Sequence, residues 1–96
     1  MSRIFCVEDD ANIRELIEYT LQSTGFEVKS FENGKSFFKA LETSTADLIL
    51  LDIMLPDMDG MEILKKLRTT DSTKNTAVLL LTAKSERMDK IRGIDN

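Results

Sequence analysis

The feature that most constrains the fold is a regular alternation between two spacings of apolar residues. Short β-prone runs occupy residues 3–8, 26–31, 47–52 and 77–83. Between and after them, apolar residues recur at helical spacing in 11–23, 37–41, 63–67 and 88–91. The run at 47–52 is apolar on both faces, as a central strand of a parallel sheet is. This β-α-β-α-β-α-β-α order predicts one parallel sheet with helices on both faces.

Turn and capping residues mark the boundaries of these segments. Asp10 precedes the first helical pattern and is predicted to cap it. Gly25 follows that pattern as a stop signal, and Asn33-Gly34 predicts a turn before the second helix. The short polar stretch after the third strand is predicted to form a turn rather than a ligand set, and its members are Asp57, Asp59 and Gly60.

Length and composition exclude several classes of protein. A chain of 96 residues with 42% apolar and 31% charged residues is expected to form one globular domain. Its net charge of −4 offers nucleic acid no attraction, and no apolar run approaches the roughly 20 residues of a membrane span. Cys6 is the only cysteine, which predicts an inert core thiol and a cytoplasmic location. The absence of histidine excludes Ser-His-Asp catalysis and most zinc sites.

Acidic and hydroxyl side chains stand where three of the predicted strands end. Glu8 and Asp9 follow the first strand, Asp52 ends the third, and Thr82 ends the fourth. Ligands of open α/β sheets bind at the carboxyl ends of the strands. Carboxylates converging there require a cation, and an all-oxygen set favours Mg²⁺ or a similar ion. With the metal bound, one carboxylate can attack phosphorus.

Other readings of the same residues fail on spacing. A calcium loop aligned on Gly60 places Leu55 at the first ligand position and Lys66 where a bidentate Glu belongs. A phosphatase with an aspartyl nucleophile needs a second acid two residues later, and Met54 stands there. No glycine-rich nucleotide motif occurs in the chain, so nucleotide sites are unsupported.

Three blocks of sequence resemble those of a known family. They are "VEDD" at 7–10, "LILLDIMLPDMDGMEILKKLR" at 48–68 and "LLLTAK" at 79–84, which places Thr82 thirty positions after Asp52. In this order and spacing they resemble the receiver domain of two-component response regulators. The chain looks most like the branch whose receivers are joined to a winged-helix DNA-binding domain.

The resemblance implies a fold and a set of roles. It implies a flavodoxin-like α/β sandwich of three layers, with a parallel sheet in the order 2-1-3-4. It implies that Asp52 accepts a phosphoryl group from a sensor histidine kinase, with turnover of no other substrate. Mg²⁺ is expected to be bound directly by Asp9, Asp52 and the Met54 carbonyl, and by Glu8 through water. Thr82 and the Ala83 backbone N–H are expected to contact the phosphoryl group.

The family pattern also has a fifth β-α unit, which ends its strand with a lysine, and residues 1–96 stop before it. The chain is therefore expected to be a partial receiver without an effector domain, so that any contact with DNA would need a part that is absent. Its fourth strand is expected to form a sheet edge at 77–82, through which copies associate or onto which the C-terminal residues rearrange. The alternative is a pseudo-receiver that binds partners without being phosphorylated.

Overall fold

A computed structural model describes residues 2–53 and 55–81 of the chain. Strands and helices alternate along it as the apolar spacing predicts. In chain order the elements are β1 (Arg3–Val7), α1 (Ala11–Ser23), β2 (Glu27–Phe31), α2 (Gly34–Leu41), β3 (Leu48–Asp52), α3 (Gly60–Arg68) and β4 (Ala77–Leu81). The end of the predicted fourth strand and the predicted fourth helix lie outside the described residues.

The four strands form one parallel sheet in the order β2-β1-β3-β4. This confirms the flavodoxin-like order expected from the resemblance. Val7 at the end of β1 pairs with Leu51 in β3, and Asp52 at the end of β3 pairs with Leu81 in β4. The carboxyl ends of these three strands therefore lie along the same edge of the sheet.

Helices cover the sheet on both faces, so the described chain has three layers. On one face, β1 and β3 pack against α2 and α3, and the buried cluster comprises Phe5, Val7, Phe37, Ile49, Leu51, Ile63 and Leu67. On the other face, α1 contributes partly buried residues to a second cluster of Ile4, Cys6, Val28 and Leu50, with Ile17 and Leu21 packed on it. The alternation of side chains along β1 explains this division, because successive residues point to opposite faces.

Two of the predicted boundary residues of α1 behave as expected. The Asp10 carboxylate accepts hydrogen bonds from the Asn12 and Ile13 backbone N–H groups at 2.9 and 3.1 Å, which confirms the predicted N-cap. Gly25 follows the helix with φ of +100°, a conformation that glycine adopts without the steric cost of a Cβ atom.

The Asn33-Gly34 pair begins a helix rather than forming a separate turn. Asn33 has an extended backbone and its side-chain oxygen accepts a hydrogen bond from the Ser36 N–H at 2.8 Å, so it is the N-cap of α2. Gly34 is already the first residue of that helix. The turn prediction was wrong in this detail because asparagine favours caps and turns for the same reason, its short side chain bonding to nearby N–H groups.

β4 is hydrogen-bonded to β3 and forms the outer strand of the sheet over the described residues. The side chain of Leu79 in this strand is unusually open to solvent for a large apolar residue, with 56% of the residue exposed.

Among the helices of residues 2–53 and 55–81, none has the length and apolar character needed to cross a membrane.

Candidate metal centre

Three of the predicted site residues meet at the carboxyl edge of the sheet. Glu8, Asp9 and Asp52 each place one carboxylate oxygen within 4.8 Å of the others. Glu8 and Asp52 are 0% and 1% exposed, whereas Asp9 is exposed to solvent. The cluster therefore has two buried carboxylates and one that opens it to water and ions.

The register of the strands explains why Glu8 and Asp52 are neighbours. Asp52 is the last residue of β3, one position beyond Leu51, which pairs with Val7 in β1. Glu8 follows Val7 directly, and its backbone N–H donates to the Phe31 carbonyl at 2.9 Å, so the sheet extends one residue past β1. Adjacent parallel strands thus place the two acids at the same level.

The turn from β1 into α1 is held by hydrogen bonds to its main chain. The Glu8 carboxylate accepts from the Asp10 N–H at 3.0 Å through Oε2. From α1, Arg14 Nη1 donates to the Glu8 carbonyl oxygen at 2.8 Å and lies 3.4 Å from that of Asp9. Asp10, the acid that follows Glu8 and Asp9, uses its carboxylate to cap α1, as the sequence predicted.

The chain leaves Asp52 through a tightly closed loop. The Gly60 N–H donates to the Ile53 carbonyl at 2.7 Å, which closes the loop immediately before α3. A Cβ atom on Gly60 would lie 2.5 Å from the Ile53 Cα and 2.8 Å from the Asp52 carbonyl oxygen, so the position requires glycine. Asp59 caps α3 by accepting from the Met61 N–H at 2.9 Å, which agrees with the prediction of a structural role.

Asp57 makes a contact that sequence reasoning did not find. It lies in the loop after Asp52, and its two carboxylate oxygens accept from the backbone N–H groups of Gly34 and Lys35 at 2.9 and 3.0 Å. The bond from Gly34, with a further one from Lys35, lowers the pKa of Asp57 below its ordinary value of 3.8. No local pattern signals a contact between residues so far apart in sequence.

The remaining predicted residues are Met54, Thr82, Ala83 and Cys6. Met54, Thr82 and Ala83 lie outside the described residues, so their roles stay predictions. Cys6 is fully buried beneath the site, and burial, followed by the negative charge of Glu8, raises the pKa of its thiol to about 12. A thiol so far from ionisation at neutral pH is not a nucleophile, which fits the predicted inert role.

The donor set of the cluster suits a hard divalent cation. All three side chains are carboxylates and offer oxygen ligands. A cation would also reduce the repulsion between the two that are buried. Mg²⁺ binds one or two carboxylates, keeps waters and leaves positions for phosphate oxygens. The residues present therefore fit Mg²⁺.

Known proteins share both the sequence and the fold. Residues 4–96 match the family model described as the response regulator receiver domain. The alkaline phosphatase synthesis transcriptional regulatory protein PhoP of Bacillus subtilis is 39% identical over 93 residues, covering 97% of this chain and 38% of the relative. The phosphate regulon transcriptional regulatory protein PhoB of Escherichia coli is 39% identical over 93 residues, covering 97% and 41%. The chain thus spans about two fifths of these relatives.

Solved structures agree with these sequence matches. The chemotaxis response regulator CheY4 of Vibrio cholerae superposes with a TM-score of 0.83 at 29% identity, covering 99% of this chain and 79% of the other. The response regulator TrrA of Thermotoga maritima, in complex with Mg²⁺-BeF, has a TM-score of 0.78 at 37% identity, covering 93% and 76%.

Proposed function

Because the chain belongs to the family of response regulator receiver domains, we propose that it accepts a phosphoryl group on Asp52 beside a bound Mg²⁺. Receiver domains of transcriptional regulators are signalling modules rather than metabolic enzymes. The observation that carries the proposal is the convergence of three carboxylate oxygens within 4.8 Å, with Asp52 nearly fully buried at the end of β3.

In the proposed reaction, one Asp52 carboxylate oxygen attacks the phosphorus of the donor. The new O–P bond forms as the P–N bond to the donor histidine breaks, and its electron pair returns to the imidazole. Asp9 and Asp52 would hold Mg²⁺ directly, Glu8 through water, and Met54 through its carbonyl. When bound, Mg²⁺ neutralises charge on the phosphoryl oxygens. The Thr82 hydroxyl and Ala83 N–H would then bind those oxygens.

The proposed donor is the phosphohistidine of a sensor kinase in the cytoplasm. The TrrA complex with Mg²⁺-BeF supports the choice of metal, since a relative of similar fold is described with this ion. PhoP and PhoB are named as transcriptional regulators, and control of transcription is accordingly proposed for the whole protein to which a chain like this would belong. Any contact with DNA would be made by an effector domain.

Incubation with acetyl phosphate and Mg²⁺, followed by intact-protein mass spectrometry, tests the proposal. We expect one added phosphoryl group, released by hydroxylamine as acyl phosphates are. The group should be absent from Asp52→Asn and present in Asp59→Asn, a matched variant in which the aspartate caps α3. Phosphorylation that persists in Asp52→Asn would refute the assignment. Failure of the wild-type chain to be phosphorylated would favour the pseudo-receiver alternative.

A further inference from the structure

Arg14 connects the first helix to the two acidic residues of the preceding turn. It is the fourth residue of α1 and half-buried, and its Nη1 reaches back to the main chain of Glu8 and Asp9. The distances are 2.8 Å to the Glu8 carbonyl oxygen and 3.4 Å to that of Asp9. Both acceptors are backbone atoms of residues whose carboxylates belong to the cluster with Asp52.

These contacts restrict the backbone of the turn rather than the carboxylates themselves. A peptide unit whose carbonyl is held by a guanidinium cannot rotate freely, and its rotation would redirect the neighbouring side chain. The Glu8 Oε2 bond to the Asp10 N–H and the Asp10 cap hold the same turn from the other side. Together with the Arg14 contacts, these bonds restrain the main chain from which the Glu8 and Asp9 side chains extend into the cluster with Asp52.

The charge of Arg14 acts on a bound cation in the opposite direction. A guanidinium beside a site repels a divalent cation, so Coulomb's law alone makes Arg14 unfavourable for Mg²⁺ binding. Pre-organised ligands favour binding because the ordering of the turn is complete before the ion arrives. The two effects of this one side chain therefore have opposite signs, and a substitution reveals which is larger.

We propose that Arg14 is a positioning residue for the binding of the divalent cation. Arg14 holds the Glu8–Asp9 main chain in the geometry that brings the three carboxylates together. The inference rests on the proposed magnesium site and deepens it. Arg14 touches neither the ion nor the phosphoryl group in this role. Its contribution is the orientation of the ligands, and this contribution exceeds the repulsion between its charge and the ion.

Calorimetric titration of the chain with Mg²⁺, at fixed ionic strength, tests the proposal with two variants. Arg14→Lys keeps the charge and loses the planar donor fork, whereas Arg14→Gln loses the charge as well. We expect both to raise the Kd for Mg²⁺ by about tenfold, the lower end of what outer-shell substitutions cause. Coulombic repulsion alone predicts that Arg14→Gln binds Mg²⁺ more tightly and that Arg14→Lys is unchanged.

Arg68→Gln is the matched control. Arg68 Nη1 also donates to two backbone carbonyls, those of Lys74 and Thr76 at 3.1 and 2.6 Å, but in the loop after α3. This variant should lose stability while its Kd for Mg²⁺ stays that of the wild type. If Arg68→Gln raised the Kd as much as the Arg14 variants do, the effect would be general loss of stability and the proposal would be wrong.

The remaining outcomes separate this proposal from the proposed function. Suppose that the wild-type chain binds Mg²⁺ and that Asp9→Asn abolishes this binding, which supports the magnesium site. Unchanged or tighter binding of Mg²⁺ in both Arg14 variants would then overturn the role of Arg14 and leave the magnesium site standing. If the wild-type chain does not bind Mg²⁺, the magnesium site fails and the role of Arg14 fails with it. If Arg14→Gln does not fold, Arg14→Lys decides the question, because unchanged Mg²⁺ binding in that variant also overturns the proposal.

Discussion

The Asp57 carboxylate accepts a hydrogen bond from the backbone N–H of Gly34 at 2.9 Å. This bond joins the loop that follows Asp52, the proposed phosphoacceptor, to the first turn of α2. The Met58 side chain packs at the same point, since a Cβ atom on Gly34 would lie 2.7 Å from the Met58 sulfur. The loop that follows Asp52 is therefore held at two points, to α2 through Asp57 and at its closure through the bond between Gly60 and Ile53.

Replacing Asp57 with Ala should lower the free energy of unfolding by about 1 kcal/mol, as loss of a helix cap does. The loss should depend on pH, because the folded-state pKa of Asp57 lies below its ordinary value of 3.8. A depressed pKa contributes stability that is complete above the ordinary pKa and disappears as the pH falls through the folded-state value. Denaturant titrations from neutral to strongly acidic pH would measure it.

Asn33→Ala is the control for that experiment, because Asn33 caps the same helix with an amide that does not titrate. The loss of free energy of unfolding caused by Asn33→Ala should be similar in size to that caused by Asp57→Ala, and it should stay constant across the pH range. A constant cost for Asp57→Ala as well would show that the charge of Asp57 is irrelevant to α2.

Gly60→Ala should destabilise the fold by about 3 kcal/mol, since the new methyl group overlaps the backbone of Asp52 and Ile53. Gly25→Ala is the matched substitution. Apart from its two chain neighbours, no described residue has a heavy atom within 4 Å of a Cβ built on Gly25, so the strain of its positive φ is the expected effect, at about 1 kcal/mol. Denaturation midpoints at equal m-values compare the two variants. A larger loss for Gly25→Ala would contradict the close approach at Gly60.

Asp52→Asn should raise the free energy of unfolding in Mg²⁺-free buffer by on the order of 1 kcal/mol, because one of three crowded negative charges is removed. The rise in melting temperature on adding Mg²⁺ should shrink in the same variant. Asp71→Asn makes the same change of charge at a fully exposed carboxylate and should leave both quantities nearly unchanged. Destabilisation of the metal-free protein by Asp52→Asn would speak against repulsion within the cluster.

Cys6 should react with thiol reagents only when the chain unfolds. The residue is fully buried in β1 and its pKa is raised to about 12. In the native state the reagent therefore cannot reach the sulfur, and the sulfur is not present as the reactive thiolate. The rate of labelling should rise with denaturant in parallel with unfolding and fall when Mg²⁺ is added. Complete labelling of the native protein within minutes would contradict this burial.

Copies of this chain should associate through β4, the outer strand over the described residues, where Leu79 is 56% exposed. Outer strands offer unpaired backbone groups to a second chain, and a charged side chain discourages such pairing. Leu79→Lys should therefore reduce association measured by sedimentation at micromolar concentration. Leu16→Lys, at an exposed leucine of α1, should leave it unchanged. A wild-type chain that sediments as a monomer would refute the prediction.

The sequence by itself determined the elements and the candidate acids. Apolar spacing located the four strands and three helices that the structure describes, because burial on one face of a helix or both faces of a strand leaves a period in the chain. Capping by Asp10 was also readable, since it bonds to N–H groups two and three residues away. The strand order came from the family resemblance, because periodicity says nothing about which strands are neighbours.

Only the tertiary structure decided how distant residues meet. The contacts from Asp57 to Gly34 and from Arg14 to the Glu8 carbonyl depend on the path of each loop and on where each helix rests on the sheet. The same is true of the glycine required at position 60 and of the approach of the three carboxylate oxygens to within 4.8 Å of one another. Local patterns record which face of an element is buried, whereas such contacts are set by the packing of several elements at once.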